Sequence, residues 1–176
     1  GHGNSIGGLI VDGGNFDWEK FPQRQPALNT PDPSYHGAIW TEAAKPLGPI
    51  AYILKARTTL LRDLGAALSP FNAFLILQGI ESLPLRIARH VENTDKVVAY
   101  LKQRPEVVRI IHPSQQTDTE RARADKYLGG RYGGLVGFEL AGGRSEGRRF
   151  IDALELFYHV ANIGDARSLA IHPATT

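Results

Sequence analysis

The sequence predicts a mixed helix-and-strand fold, α/β or α+β, with a domain junction near residues 70 to 85. Three observations carry that prediction. A β-branched run, Ile6-Gly7-Gly8-Leu9-Ile10-Val11, is bounded by Gly13-Gly14. Two proline-started apolar stripes at helical spacing fill most of residues 49 to 101. After Pro105 the texture turns to strand, strand and helix. The chain has 176 residues, 42% of them apolar and 22% charged, a composition that supports a packed core and excludes a disordered tail, a collagen-like repeat or a disulfide scaffold.

Taken in order, Ile6–Val11 reads as a buried strand. From Phe21 to Gly37, Pro22, Pro26, Pro31 and Pro33 predict an extended loop, long enough to be functional or to reach a partner subunit. Pro49 suits a first helical turn, and Ile50, Ile53, Leu54, Leu60, Leu61 and Leu64 share one face until Gly65 closes the helix. Ser69-Pro70 repeats the start signal, opening a helix through Leu77 and Gly79. Ile80, Leu83, Ile87, Val91, Val98 and Leu101 continue an apolar stripe for about six turns. Val107–Ile111 and Leu135–Leu140 read as strands, separated by a polar stretch with Arg121, Arg123 and Lys126 that is a short helix or a mobile loop. Phe150, Ile151, Leu154, Phe157 and Tyr158 predict one more helical face, and Asn162–Thr176 an irregular ending.

Composition narrows the function classes. Twenty basic against eighteen acidic side chains leave a charge of +2. The densest basic region, Arg104 to Arg149, has nine Lys/Arg among six Asp/Glu, which reads as a solvated mixed-charge face rather than a nucleic-acid surface. The absence of cysteine removes disulfides, thiolate zinc sites and thiol nucleophiles together. No apolar run reaches the roughly 18 residues of a membrane span, and no signal-peptide pattern opens the chain, so a soluble, cytoplasmic protein is expected. A chain without methionine that starts at glycine and stops abruptly at Thr175-Thr176 reads as a piece of something longer.

Motifs are few. Gly3-Asn4-Ser5-Ile6-Gly7 matches the nucleophile-elbow pattern, but that turn needs a strand before it and a helix after it, and here a strand-like run follows. The glycines lack the spacing and the Gly-Lys-Ser/Thr of a phosphate cradle. The histidines at 2, 36, 90, 112, 159 and 172 form no metal-binding pair, and His90 reads as a surface or domain-junction side chain. The loop Asn162-Ile163-Gly164-Asp165-Ala166-Arg167-Ser168-Leu169 suits a ligand-holding loop and an ordinary tight turn equally well.

Several segments together resemble the cystathionine and methionine metabolism group of pyridoxal-phosphate enzymes, and within it the O-acetylhomoserine sulfhydrylases. They are Gly1-His2-Gly3-Asn4-Ser5-Ile6-Gly7-Gly8, Ile10-Val11-Asp12-Gly13-Gly14 and Phe16-Asp17-Trp18; Pro31-Asp32-Pro33-Ser34-Tyr35-His36-Gly37; Leu60-Leu61-Arg62-Asp63-Leu64-Gly65; Ser69-Pro70-Phe71-Asn72-Ala73-Phe74; Gln78-Gly79-Ile80-Glu81-Ser82-Leu83; Arg89-His90; and Asn162 to Thr176. The proline-rich loop before Tyr35-His36-Gly37 looks like the sulfhydrylase branch rather than the lyase or cystathionine synthase pattern.

The resemblance implies an α/β, fold type I pyridoxal-phosphate transferase, with residues 1–75 ending the large cofactor-binding domain and 76–176 forming a linking helix and a truncated α+β C-terminal domain. It implies pyridoxal 5'-phosphate as cofactor, carried by a Schiff-base lysine just upstream of Gly1, so that no catalytic or cofactor-binding residue falls within the chain. Asn162 matches the family position that binds the substrate α-carboxylate, beside an arginine beyond Thr176; a turn asparagine capping its own backbone is the alternative. The implied reaction is γ-replacement of acetate by sulfide or a thiol, giving homocysteine or a homologue, in a homotetramer or homodimer without metal, nucleic acid or membrane. Cystathionine γ-synthase and methionine γ-lyase share the scaffold, and a non-catalytic assembly module is the reading from another class.

Overall fold

The computed structural model describes residues 1–175. The chain divides into two compact units, one of Ile6–Ala73 and one that joins Gly1–Ser5 to the chain from Phe74 onward.

In the first unit the expected loop turns out to be structured. Helix α1 (Pro26–Asn29) begins on a proline whose missing N–H costs nothing there, and a single 3-10 turn covers Pro33–Tyr35. Helix α2 (Trp40–Ala44), to which no sequence signal pointed, is short but brings Trp40 into the core at 1% exposure. Leu28, Trp40, Ala44 and Ala51 form that core, with Trp18, Tyr35, Ile50 and Leu54 packed around it. Four of these side chains come from the proline-rich stretch and α2, so the prolines fix turns that carry apolar anchors rather than forbidding order.

Asp32 sits at the centre of this unit at 7% exposure. Its Oδ1 accepts from Ser34 N (2.9 Å) and Ser34 Oγ (2.6 Å), and its Oδ2 from Trp40 Nε1 (2.7 Å) and Lys55 Nζ (2.5 Å). Its backbone N–H pairs with Ala38 O across an isolated bridge. A buried carboxylate survives only if its lone pairs are met, and all are met here. The Lys55 ammonium, then Ser34 and Trp40, hold the Asp32 carboxyl well below the ordinary carboxylate range. A depressed folded-state pKa contributes stability that is fully present above the unfolded value, near pH 4, and is lost as the pH falls below it. Acid titration followed by tryptophan fluorescence is therefore expected to show this unit weakening below about pH 4, and Asp32→Asn to flatten that pH dependence.

The Pro49 helix forms as α3 (Ala51–Lys55), a π-helical stretch Ala56–Leu61 and α4 (Arg62–Leu64). The widening coincides with two threonines that bond back one turn, Thr58 Oγ1 to Leu54 O (2.8 Å) and Thr59 Oγ1 to Lys55 O (2.9 Å). Gly65, at φ +67°, ends the helix as predicted. The run Ile6–Val11 is the main correction: it is not a strand, and Ile6 and Leu9 stand 89% and 83% exposed. A strand needs a neighbouring edge to satisfy its backbone, and none of the described residues supplies one here.

Helix α5 (Pro70–Glu81) starts at the Ser69-Pro70 signal. The apolar stripe then breaks at Ser82, and α6 runs Leu83–Leu101. Pro84, in the first turn of α6, has no N–H and would clash with the preceding turn of a continuous helix, so the break has a local cause. Arg86 ties the two ends together, donating to Gly79 O (2.7 Å) and Ser82 Oγ (2.5 Å). Strands β1 (Val107–Ile111) and β2 (Gly137–Leu140) pair antiparallel, with Ile110 opposite Phe138. Between them lies helix α7 (Asp118–Leu128), which settles the helix-or-loop choice. Helix α8 (Gly143–Asp152) stops short of Leu154, Phe157 and Tyr158, so the predicted face holds only at Phe150 and Ile151. Tyr158–His159 instead forms β3, paired parallel with β4 (Leu169–Ala170); a tertiary pairing overrides the helical spacing.

Candidate functional site

The short parallel pair β3/β4 closes the base of the loop that contains Asn162. Tyr158 N donates to Ser168 O (3.0 Å), and the Arg167 guanidinium lies 5.3 Å above the Tyr158 ring. Gly164 takes φ +70°, a left-handed turn that only glycine makes without strain, and reverses the chain at the loop tip. Asn162 is exposed. Its Nδ2 donates to Asp165 Oδ2 (2.7 Å), and its Oδ1 accepts from Ile163 N (3.0 Å). The other oxygen of Asp165 accepts from Arg167 N (2.9 Å). These two hydrogen bonds, the Arg167 backbone first and the Asn162 amide second, lower the Asp165 pKa and keep it anionic. Asn162 caps a neighbouring backbone N–H, as the turn reading expects, and its amide has a second N–H with no protein partner among the described residues.

Gly1 and Gly3 lie directly against this loop. A Cβ on Gly1 would sit 2.0 Å from Gly164 O, and one on Gly3 would sit 3.2 Å from Asp165 Oδ2 and 3.4 Å from Asn162 Nδ2. Gly3 also takes φ +73°. The glycine-rich start is therefore a close-packing device, with no exposed serine elbow. Gly3→Ala is expected to cost on the order of 1–2 kcal/mol in a urea titration, because the added methyl meets both a disfavoured φ and the Asn162–Asp165 pair.

The remaining candidates gather elsewhere. His90, read from the sequence as a surface or domain-junction side chain, is half-buried, with Gly134 so close that a Cβ there would stand 3.0 Å from His90 Cβ. His112 is the most buried histidine, at 1% exposure. Its Nδ1 meets Ser114 Oγ (2.8 Å), its ring stands edge-on to Tyr132, and burial pushes its pKa down, so it is a neutral packing residue. A cleft of about 450 Å³ between α6, β1, β2 and α8 has an apolar floor including Leu101, Phe138 and Phe150, and its rim charges pair with each other, Arg104 with Glu106 and Arg149 with Glu146. Among the described residues no three His, Asp or Glu side chains converge as a metal site, and no helix is long and apolar enough to cross a membrane. Sequence reading missed Asp165 as a partner of Asn162; the Asn-x-x-Asp spacing around Gly164 was the available signal.

Residues 1–176 match the family model described as Cys/Met metabolism PLP-dependent enzyme. The chain is 50% identical over 182 residues to the O-acetyl-L-homoserine sulfhydrylase of Leptospira meyeri and 48% identical to O-acetyl-L-homoserine sulfhydrylase 1 of Thermus thermophilus; each match covers all of this chain and 41% of the relative. Among solved structures, it is similar to a putative O-acetylhomoserine (thiol)-lyase of Campylobacter jejuni that holds an N'-pyridoxyl-lysine-5'-monophosphate. That similarity has a TM-score of 0.70 at 39% identity and covers 85% of this chain and 35% of the other. The chain thus spans about two fifths of the length of the curated relatives it matches.

Proposed function

The chain belongs to the Cys/Met metabolism PLP-dependent enzymes, and from that premise we propose that it forms part of an O-acetylhomoserine sulfhydrylase, which replaces the acetate of O-acetylhomoserine by sulfide or a thiol. The family is pyridoxal-phosphate-dependent and its fold is fold type I. The observation that carries the reading is the contact of Gly1 and Gly3 with the Asn162–Asp165 loop. With the cofactor-bearing lysine expected just upstream of Gly1, that contact supports a reading in which Asn162 meets the α-carboxylate end of the substrate.

At the turn of this loop a neutral amide with a spare N–H lies beside an anionic carboxylate, with the Arg167 guanidinium stacked over Tyr158 at its base. The spare amide N–H can donate to one oxygen of an amino acid's α-carboxylate, and the positive charge that must outweigh Asp165's repulsion is expected from the arginine that the resemblance implies beyond Thr176. Pyridoxal phosphate, when bound, supplies the electron sink for the γ-replacement. The chain's own contribution is orientation: the Asn162 N–H donates to the substrate α-carboxylate, while Gly1 and Gly3, lacking side chains, let their own backbone run close to the loop. The same proposal assigns residues 1–75 to the end of a large cofactor-binding domain and 76–176 to a linking helix and C-terminal domain, in a cytoplasmic homotetramer or homodimer. Exposed apolar side chains on α5, including Phe71 at 67% and Leu77 at 61%, support a fold completed by further protein.

Product analysis tests the activity. A full-length chain carrying this segment, loaded with pyridoxal phosphate and given O-acetylhomoserine and sulfide, is expected to form homocysteine and acetate in equal amounts. Release of 2-oxobutyrate and ammonia without sulfide incorporation assigns a lyase instead, cystathionine made preferentially from cysteine assigns a synthase, and no turnover leaves the assembly module.

A further inference from the structure

We propose that Asp165 is a positioning residue for substrate recognition, its carboxylate fixing the Asn162 amide in the one orientation that leaves an N–H for the substrate α-carboxylate. The proposal rests on the reading of Asn162 given above and deepens it. A side-chain amide has one acceptor end and one donor end, and a half-turn exchanges them at little cost unless partners decide. Here both ends are decided. Ile163 N donates to Asn162 Oδ1, and Asp165 Oδ2 accepts from Nδ2. An ionised carboxylate can only accept, so the flipped amide would set oxygen against oxygen at Asp165 and N–H against N–H at Ile163.

The carboxylate is itself held. Arg167 N donates to its second oxygen, and Gly3 stands over the Asp165–Asn162 pair so closely that a Cβ there would lie 3.2 Å from Asp165 Oδ2 and 3.4 Å from Asn162 Nδ2. Of the two amide N–H groups, Asp165 takes one and the other stays with the exposed Asn162 side chain. Asp165 thus acts through Asn162 and need not touch substrate. The Ile163 backbone alone would bias the amide, but a backbone N–H is a single weak determinant, whereas a charged acceptor at 2.7 Å makes the hydrogen bond roughly twice as strong.

The experiment uses a full-length chain carrying this segment, loaded with pyridoxal phosphate. Asp165→Asn replaces an acceptor with a group that tolerates either amide orientation. The KM for O-acetylhomoserine should rise about tenfold with kcat within about twofold, and Asp165→Glu should recover part of the loss. Calorimetric titration with L-norleucine, an amino acid without a leaving group, should show the same weakening with no turnover. In an Asn162→Ala background, Asp165→Asn should add nothing, since the group it positions is gone. If Asn162→Ala leaves KM and norleucine affinity unchanged, the reading of Asn162 fails and this proposal with it. If Asn162→Ala weakens binding while Asp165→Asn and Asp165→Glu bind as tightly as the parent, the positioning role alone is overturned. A loss of kcat, melting temperature and affinity together, additive with Asn162→Ala, assigns Asp165 a merely structural part and overturns the proposal as well. Should Asp165→Asn fail to fold, the Asp165→Glu titration alone decides between these outcomes.

Discussion

Replacing Trp40 with alanine is expected to destabilise the Ile6–Ala73 unit by about 3–5 kcal/mol, the largest effect of any single change in the molecule. Trp40 is the largest fully buried side chain there, at 1% exposure, and it packs among Leu28, Ala44 and Ala51 with the Tyr35 ring 5.0 Å away. Alanine leaves a cavity that three short neighbouring elements must collapse into. It also removes the indole N–H from Asp32, whose buried carboxylate then keeps Ser34 and Lys55 but loses one of its donors. Trp40→Phe separates the two contributions. It keeps most of the ring volume and loses the hydrogen bond, so about 1–2 kcal/mol is expected. Urea denaturation with Trp18 as reporter measures both, and a Trp40→Ala loss below about 1 kcal/mol contradicts this picture of the core.

On activity, Asn162→Ala has the largest expected effect. A hydrogen bond to a charged partner contributes about 1.5–3 kcal/mol, so KM for O-acetylhomoserine should rise roughly 10- to 100-fold. The α-carboxylate is bound alike before and during reaction at Cγ, so kcat should change far less than KM. Steady-state kinetics on the full-length holoenzyme give both values, and a fall in kcat at constant KM would move Asn162 from binding to chemistry.

Much of this was legible in the sequence wherever the determinants are local. Pro49 with Gly65 bracketed one helix, Ser69-Pro70 opened another, and of the runs read as strands Val107–Ile111 pairs with the Gly137–Leu140 part of Leu135–Leu140. The Ser82 break was also available, because Pro84 cannot lie inside a continuous helix, but the apolar stripe across it was the stronger pattern. What failed was non-local. Ile6–Val11 has strand composition without a strand edge to pair with, and Tyr158–His159 has helical spacing but a parallel partner eleven residues on. Trp40–Ala44 was silent because five residues are too few for a period.

The site divides the same way. Asn162 came from resemblance, and from the residues alone its loop could equally have been a tight turn. The structure adds what spacing could not carry: that Gly1 and Gly3 lie on the same loop, and that Asp165 and Ile163 N together orient the Asn162 amide. A contact between residues about 160 positions apart leaves no local trace, although the cluster of glycines hinted that some backbone approached closely.

The claim that Asn162 meets the substrate carboxylate is tested most directly by two ligands that differ in that group alone. L-Norleucine and n-pentylamine share the same carbon chain and amine, and only the first has a carboxylate. Calorimetric titration of the full-length holoenzyme should find that Asn162→Ala weakens norleucine about tenfold or more and leaves pentylamine binding unchanged. Equal weakening of both ligands, or of neither, would contradict the account.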